Sequence, residues 1–162
     1  MGVREWLIDV SKGDRLRQYW RLFVRRERTN NKWLKALRTL RLNRMAYRHG
    51  GYIGNGALIK GVPQLPHGLH GVYISRFAAI GAGCCIYQNV TIGEVDRAAP
   101  KIGDHCLIGA GAVLVGGITV GDHVRIGAGA VVSTDIPDHC TVVAQPPRVI
   151  PREQADFDIS EK

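Results

Sequence analysis

The chain has 162 residues, 45% of them hydrophobic, and a formal net charge of +8. That length suits one domain with a buried core, and no apolar run approaches the length of a membrane span. Its four cysteines include no C-x-x-C pair, and Cys84 and Cys85 are adjacent, so neither a disulfide framework nor a zinc pattern is expected.

Charge is distributed unevenly. Residues 1–50 hold fourteen Lys/Arg against four Asp/Glu, and the remainder holds eight against ten. The basic character belongs to an N-terminal arm, residues 1–50, which reads as helical with a break at Asn30–Asn31. Tyr19, Trp20 and Phe23 in its first half, and Trp33, Leu34, Leu37 and Leu40 in its second, are mostly three or four apart. They form an apolar stripe between arginines. We expect the stripe to pack on the following domain or on a neighbouring subunit. Peripheral contact with an anionic membrane surface is the second reading, and no nucleic-acid-binding motif is present.

His49-Gly50-Gly51 ends the helical pattern. Residues 51–150 then keep a six-residue beat: Ile74, Ile80, Ile86 and Ile92, followed by Ile102, Ile108, Leu114, Val120, Ile126 and Val132. Gly usually follows the aliphatic residue. A hexapeptide period marks a parallel β-helix, an all-β solenoid in which three hexads make one triangular coil. Ile86, Ile108 and Ile126 should therefore stack at one inner corner. Cys84 and Cys106 fall at the small inward position of their hexads and read as buried filler. Thr91, Val113 and Val131 should line one outer face, a candidate subunit interface.

The beat fails twice. Three extra residues lie around Pro66-His67-Gly68-Leu69-His70-Gly71, and four in Glu94-Val95-Asp96-Arg97-Ala98-Ala99-Pro100. Irregular loops on a rigid scaffold are where function concentrates. His67 and His70 in the first loop are unsuited to core filling, and an imidazole can take a proton from a hydroxyl near neutral pH. His105 and His123, eighteen apart in Gly-Asp-His turns, read as exposed turn residues and not as metal ligands. A Pro-rich stretch from Ile136 to Ile150 should close the solenoid, and residues 151–162 form a polar tail.

The stretch from Leu65 to Ile150 resembles the hexapeptide-repeat acyltransferases, and among them the serine O-acetyltransferases. Leu65-Pro66-His67 is similar to that family's Leu-Asp-His, and Ile86-Tyr87-Gln88-Asn89-Val90-Thr91-Ile92-Gly93 to its next block. Pro100-Lys101-Ile102, the two Ile-Gly-Ala-Gly-Ala coils at Ile108 and Ile126, and Val143–Ile150 are similar to later blocks. The resemblance implies a left-handed β-helix, a homotrimer, and acetyl-CoA as donor. It implies no metal. It further implies His67 as general base, with His70 the rival, and Gln88 and Asp96 beside the acceptor. With no Asp or Glu between Glu27 and Glu94, an orienting acid would come from Glu94, Asp96 or another subunit, or a backbone carbonyl would hold the imidazole. Lys101, Gly109, Ala110, Gly127, Ala128 and Arg148 would border the CoA. The chain departs from the family at Tyr52, Pro66 and Ala99, where serine acetyltransferases carry Asp, Asp and His.

We therefore expect acetyl transfer to a hydroxyl of a sugar or a cell-surface polysaccharide precursor. L-serine is the alternative acceptor, and a non-catalytic trimeric scaffold is the alternative class. Reduced thiols and no signal peptide suit the cytoplasm, and the basic arm suits the inner membrane face.

Overall fold

The computed structural model describes residues 16–146. Two helices, α1 (Leu16–Glu27) and α2 (Lys32–Tyr47), precede a parallel β-helix. The break between them falls where the sequence placed it. Asn31 is the N-cap of α2, its side chain accepting hydrogen bonds from the Trp33 and Leu34 N–H groups at 3.0 and 3.1 Å. That satisfies two donors which the first helical turn leaves open. Arg26 Nε donates to Thr39 Oγ1 at 2.9 Å and Arg38 donates to the Arg25 carbonyl at 2.7 Å, tying the two helices together.

On α1 the aromatic stripe is buried: Tyr19, Trp20 and Phe23 join the hydrophobic core, with edge-to-face ring contacts at 5.4 and 5.5 Å. On α2 the stripe is not packed within the chain. Leu42 and Ala46 are its buried residues, whereas Trp33, Leu34, Leu37 and Leu40 are exposed, Trp33 at 87%. The helix is apolar on two faces, and the first coil covers only the one carrying Leu42 and Ala46.

The strands are short and run in three parallel sheets, the walls of a triangular prism. The first wall stacks β1 (Tyr52–Ile53), β3 (Tyr73–Ile74), β6 (Thr91–Gly93), β9 (Val113–Val115) and β12 (Val131–Val132). The second stacks β2 (Leu58–Ile59), β4 (Ala79–Ile80), β7 (Lys101–Ile102) and β10 (Thr119–Val120). The third stacks β5 (Cys85–Ile86), β8 (Leu107–Ile108), β11 (Arg125–Ile126) and β13 (Thr141–Val142). Ile86 pairs with Ile108 and Ile108 with Ile126, as the hexad count requires. Both interruptions appear in the registers: Ile53 pairs with Ile74 and Ile92 with Leu114, longer steps than the regular Leu114–Val132. The last coil is shorter than the count suggested, with Ile126 paired to Val142.

Each hexad places its aliphatic residue inside the prism, where Ile80, Ile86, Ile92, Ile108, Leu114 and Ile126 are almost wholly buried. Cys84 and Cys106 are also internal. The glycine after the aliphatic has a different reason than backbone freedom. A Cβ on Gly103 would fall against the Asp122 carboxylate and within 2.7 Å of the Gly121 carbonyl, so Gly is required by close approach of the next coil. Left-handed backbone is needed two positions later, at Gly83, Asn89, His105, Gly111, His123, Gly129 and His139, with φ between 57° and 69°. Glycine and asparagine tolerate that conformation best.

His105, His123 and His139 are therefore turn residues. Their rings stack at 5.1 and 4.9 Å with planes 12° and 5° apart, all exposed. Rings stacked face to face do not converge on one ion. Beside them runs a carboxylate ladder: Asp104 accepts from the Ala82 N–H at 2.8 Å, Asp122 from the Asp104 N–H at 2.6 Å, and Asp138 from the Asp122 N–H at 2.8 Å.

Two outcomes follow for stability. Ile108→Ala, in the middle of a fully buried stack, should cost about 3 kcal/mol in urea unfolding. The Ala82 N–H, and behind it the Lys60 ammonium at 3.6 Å, hold the Asp104 carboxyl below the usual carboxylate range. A depressed folded-state pKa stabilises fully above the unfolded value, about 3.9, and the contribution is lost as pH falls through the folded value. Asp104→Asn should accordingly melt with a weaker acid dependence than the parent between about pH 5 and pH 3.

Candidate active site

The first inserted loop turns the corner between the third and first walls. Leu69 is its buried anchor, and Gly68 and Gly71 supply positive φ of 70° and 65°. The Gly68 N–H bonds the Leu65 carbonyl at 3.0 Å and the Val72 N–H bonds the Leu69 carbonyl at 3.1 Å, so the loop is internally closed. Gly71 is obligatory on a second count, because a Cβ there would collide with the Asn89 side chain.

Both histidines of the loop are exposed, yet they face different neighbours. The His67 ring lies 5.9 Å from that of Tyr87, tilted by 46°. His70 sits edge-to-face with His49 at 5.1 Å, toward the end of α2, and its carbonyl accepts from the Asn89 N–H at 2.9 Å. His67 thus borders the column of turns that descends the solenoid, whereas His70 belongs to the joint between arm and first coil.

That column is built by inter-coil hydrogen bonds. The Tyr87 N–H donates to Ile108, the Gly109 N–H to Ile126 and the Gly127 N–H to Val142, at 3.0, 2.8 and 2.8 Å. One residue on, the Gly111 N–H donates to the Gln88 carbonyl and the Gly129 N–H to the Ala110 carbonyl, at 3.0 and 2.9 Å. Gln88, Ala110 and Ala128 therefore succeed one another at steps of about 4.8 Å. Below His67 the corner carries Gly and Ala, leaving a lane of accessible backbone. Gln88 Oε1 is buried there without a hydrogen-bond partner. A buried orphan acceptor costs roughly 1–3 kcal/mol, an imbalance that a bound donor would remove. Tyr87 was missed in the sequence. Its signal was a bulky residue at the hexad position that Gly109 and Gly127 fill in the same column.

The second inserted loop stands at another corner, between the first and second walls. It is a tight hairpin in which Val95 and Ala98 exchange N–H···O bonds of 2.9 Å around Asp96 and Arg97 at φ 51° and 66°. Glu94 accepts a hydrogen bond from the Ser75 hydroxyl. The expected His67–Glu94 pairing is therefore not formed within one chain. The two corners are separated by a whole hexad, up to about 20 Å of extended backbone, and Glu94 is engaged on its own side. Among the described residues no carboxylate is hydrogen-bonded to His67 or His70. Lys101 and Asp96 likewise belong to this second corner, apart from the lane at Gly109 and Ala110, with Lys101 outward on β7 beside Ala79 and Thr119. Arg148 lies outside the described residues.

The comparisons with known proteins agree with the hexapeptide solenoid. Residues 99–134 match the family model described as bacterial transferase hexapeptide (six repeats). The chain is 41% identical over 113 residues to a serine acetyltransferase of Synechococcus elongatus, which covers 67% of this chain and 43% of that protein. Among solved structures it is similar to the serine acetyltransferase of Neisseria gonorrhoeae, with TM-score 0.65 and 32% identity, covering 86% of this chain and 53% of that one. The serine acetyltransferase from Vibrio cholerae gives TM-score 0.63 and 35% identity over 75% of this chain and 48% of that chain. The chain spans about half the length of the relatives it matches, or less.

The hairpin carries its own test. Two non-glycine residues in left-handed conformation cost about 1–2 kcal/mol each, and Asp-Gly is the preferred pair for such a turn. Arg97→Gly should raise thermal stability by about 1 kcal/mol, read by calorimetric melting; an unchanged or lowered melting point would mean that the guanidinium makes compensating contacts. From the matched repeats and the shared coil geometry, the chain is a left-handed β-helix of hexapeptide repeats, similar in sequence and fold to part of the serine acetyltransferases.

Proposed function

We propose that the protein is an O-acetyltransferase that moves an acetyl group from acetyl-CoA to an acceptor hydroxyl. The observation that carries this is the placement of His67 at the head of the Gly/Ala lane, together with the solenoid's likeness to serine acetyltransferases. The pantetheine arm lies along Gly109, Ala110, Gly127 and Ala128, where small side chains let it approach backbone N–H and C=O groups. Lys101 and Arg148 are the cationic partners proposed for the phosphates. His67 accepts the hydroxyl proton while the acceptor oxygen attacks the thioester carbonyl carbon. A backbone N–H of the corner steadies the tetrahedral oxyanion. Collapse breaks the C–S bond, and the proton on His67 passes to the departing sulfur, leaving acetyl ester and free thiol.

The working unit we infer is a homotrimer. The two inserted loops flank the first wall on opposite edges, and its outer face exposes Tyr52, Tyr73 and Val131. Threefold packing around that face sets one edge of each subunit beside the opposite edge of the next. The neighbouring subunit's Glu94, Asp96 and Lys101 would then meet the His67 corner, which the single chain does not achieve.

L-serine is the acceptor we place first, because the relatives are named for it. A neutral sugar hydroxyl is the second reading. It is favoured by the want of any Asp or Glu between Glu27 and Glu94, with Pro66 and Tyr52 near the loop, so that this chain's own corner has no carboxylate to hold an ammonium group. Membrane contact through the arm has less support than the sequence suggested, since the α1 aromatics are consumed in the core. No helix among the described residues is long and apolar enough to cross a membrane.

Thiol release from acetyl-CoA tests the whole reading. Turnover with L-serine and none with neutral sugars would support the first acceptor, and the reverse would support the second. His67→Ala should lower kcat by about 10²–10⁴-fold, with His70→Ala close to the parent. A dead His70→Ala beside an active His67→Ala would reverse the assignment. No heat of acetyl-CoA binding would favour a non-catalytic scaffold. Light scattering should give about three times the 17.8 kDa chain mass.

A further inference from the structure

Between α1 and the first coil runs a groove with a volume of about 710 Å³. Its rim on the helix side includes Arg21, Arg25 and Arg28, and its coil side includes Val62, Pro63 and Leu65. The arginines are four and three residues apart, so they share one helix face with neighbours about 5–6 Å from each other. All three are exposed, and none forms an ion pair among the described residues. Val62, in the turn after β2, is 56% exposed. Among the described residues no acidic side chain lines the groove.

We propose that this groove binds an anionic amphiphile, a molecule with a phosphate or diphosphate head and an apolar chain. The arginine row offers planar, multidentate donors suited to phosphate oxygens. The Val62–Pro63–Leu65 side offers an apolar bed for the chain. The volume falls in the range of small-molecule sites, which favours a single bound molecule over a bilayer surface. Leu65 borders the groove and begins the loop that carries His67, two residues on. The inference goes beyond the proposed transfer reaction and is tested without it, so either can fail alone.

The experiment is calorimetric titration of the full chain with dodecyl phosphate below its micelle-forming concentration. Saturable binding is expected, at least about a hundredfold tighter than inorganic phosphate because of the buried methylenes. It should also be at least about tenfold tighter than dodecyl maltoside, which lacks the charge. The pair Arg21→Gln with Arg25→Gln, on an exposed helix face, should weaken binding at least about tenfold. The pair Arg21→Lys with Arg25→Lys should recover part of that loss, and Val62→Glu should abolish binding. Circular dichroism melts confirm that each variant is folded. Equal affinity for the maltoside, no effect of the glutamine pair, or binding to phosphatidylglycerol vesicles without binding to monomeric dodecyl phosphate would each overturn the proposal.

Discussion

Hydrogen bonding between successive coils is the constraint on which the molecule depends. Each strand is only two or three residues long and satisfies its N–H and C=O groups through the coils above and below. A residue can bond its counterpart only if both adopt the same backbone conformation. One left-handed turn therefore forces the next, and His105, His123 and His139 hold φ of 57°, 57° and 58° in register. The same stacking brings carboxylates against the N–H groups of the preceding coil, and there only glycine fits after the inward aliphatic residue. Burial within the prism supplies the stabilising free energy, while the inter-coil ladder dictates the shape.

Such a scaffold has little freedom except where the count is broken. The two inserted loops are closed by their own hydrogen bonds, and neither disturbs the registers on either side. They project chemistry from a rigid frame: imidazoles at one corner, carboxylates and a guanidinium at another. A full wall separates them, so a single chain does not bring His67 and Glu94 together. Assembly around the first wall would bring the two corners together, an economical use of a solenoid whose exterior is otherwise monotonous.

The arm adds a second kind of surface. Its α1 aromatics seal the solenoid's first coil, and Arg21, Arg25 and Arg28 are left outside, with no acidic residue on α2. Self-repulsion among these cations is relieved by solvent or by an anionic ligand. Apolar closure inside with a basic face outside is what distinguishes the arm from a simple cap.

The sequence by itself determined the period, the prism and both interruptions, because each is a matter of counting along one chain. Ile86, Ile108 and Ile126 stack as counted, and the registers lengthen where residues were added. The break at Asn31 was legible too, since a cap is a local hydrogen bond. The tertiary structure alone decided where the irregular side chains point. His67 turns to Tyr87, His70 to His49, and Glu94 to Ser75, contacts between segments that no repeat relates. It also chose which apolar face of α2 is buried. It showed that the glycines directly after the inward aliphatics, Gly81, Gly103 and Gly121, answer to close approach, while Gly83, Gly111 and Gly129 answer to left-handed backbone. Periodic contacts are written in spacing; contacts between a loop and a neighbouring coil exist only once the coils have stacked.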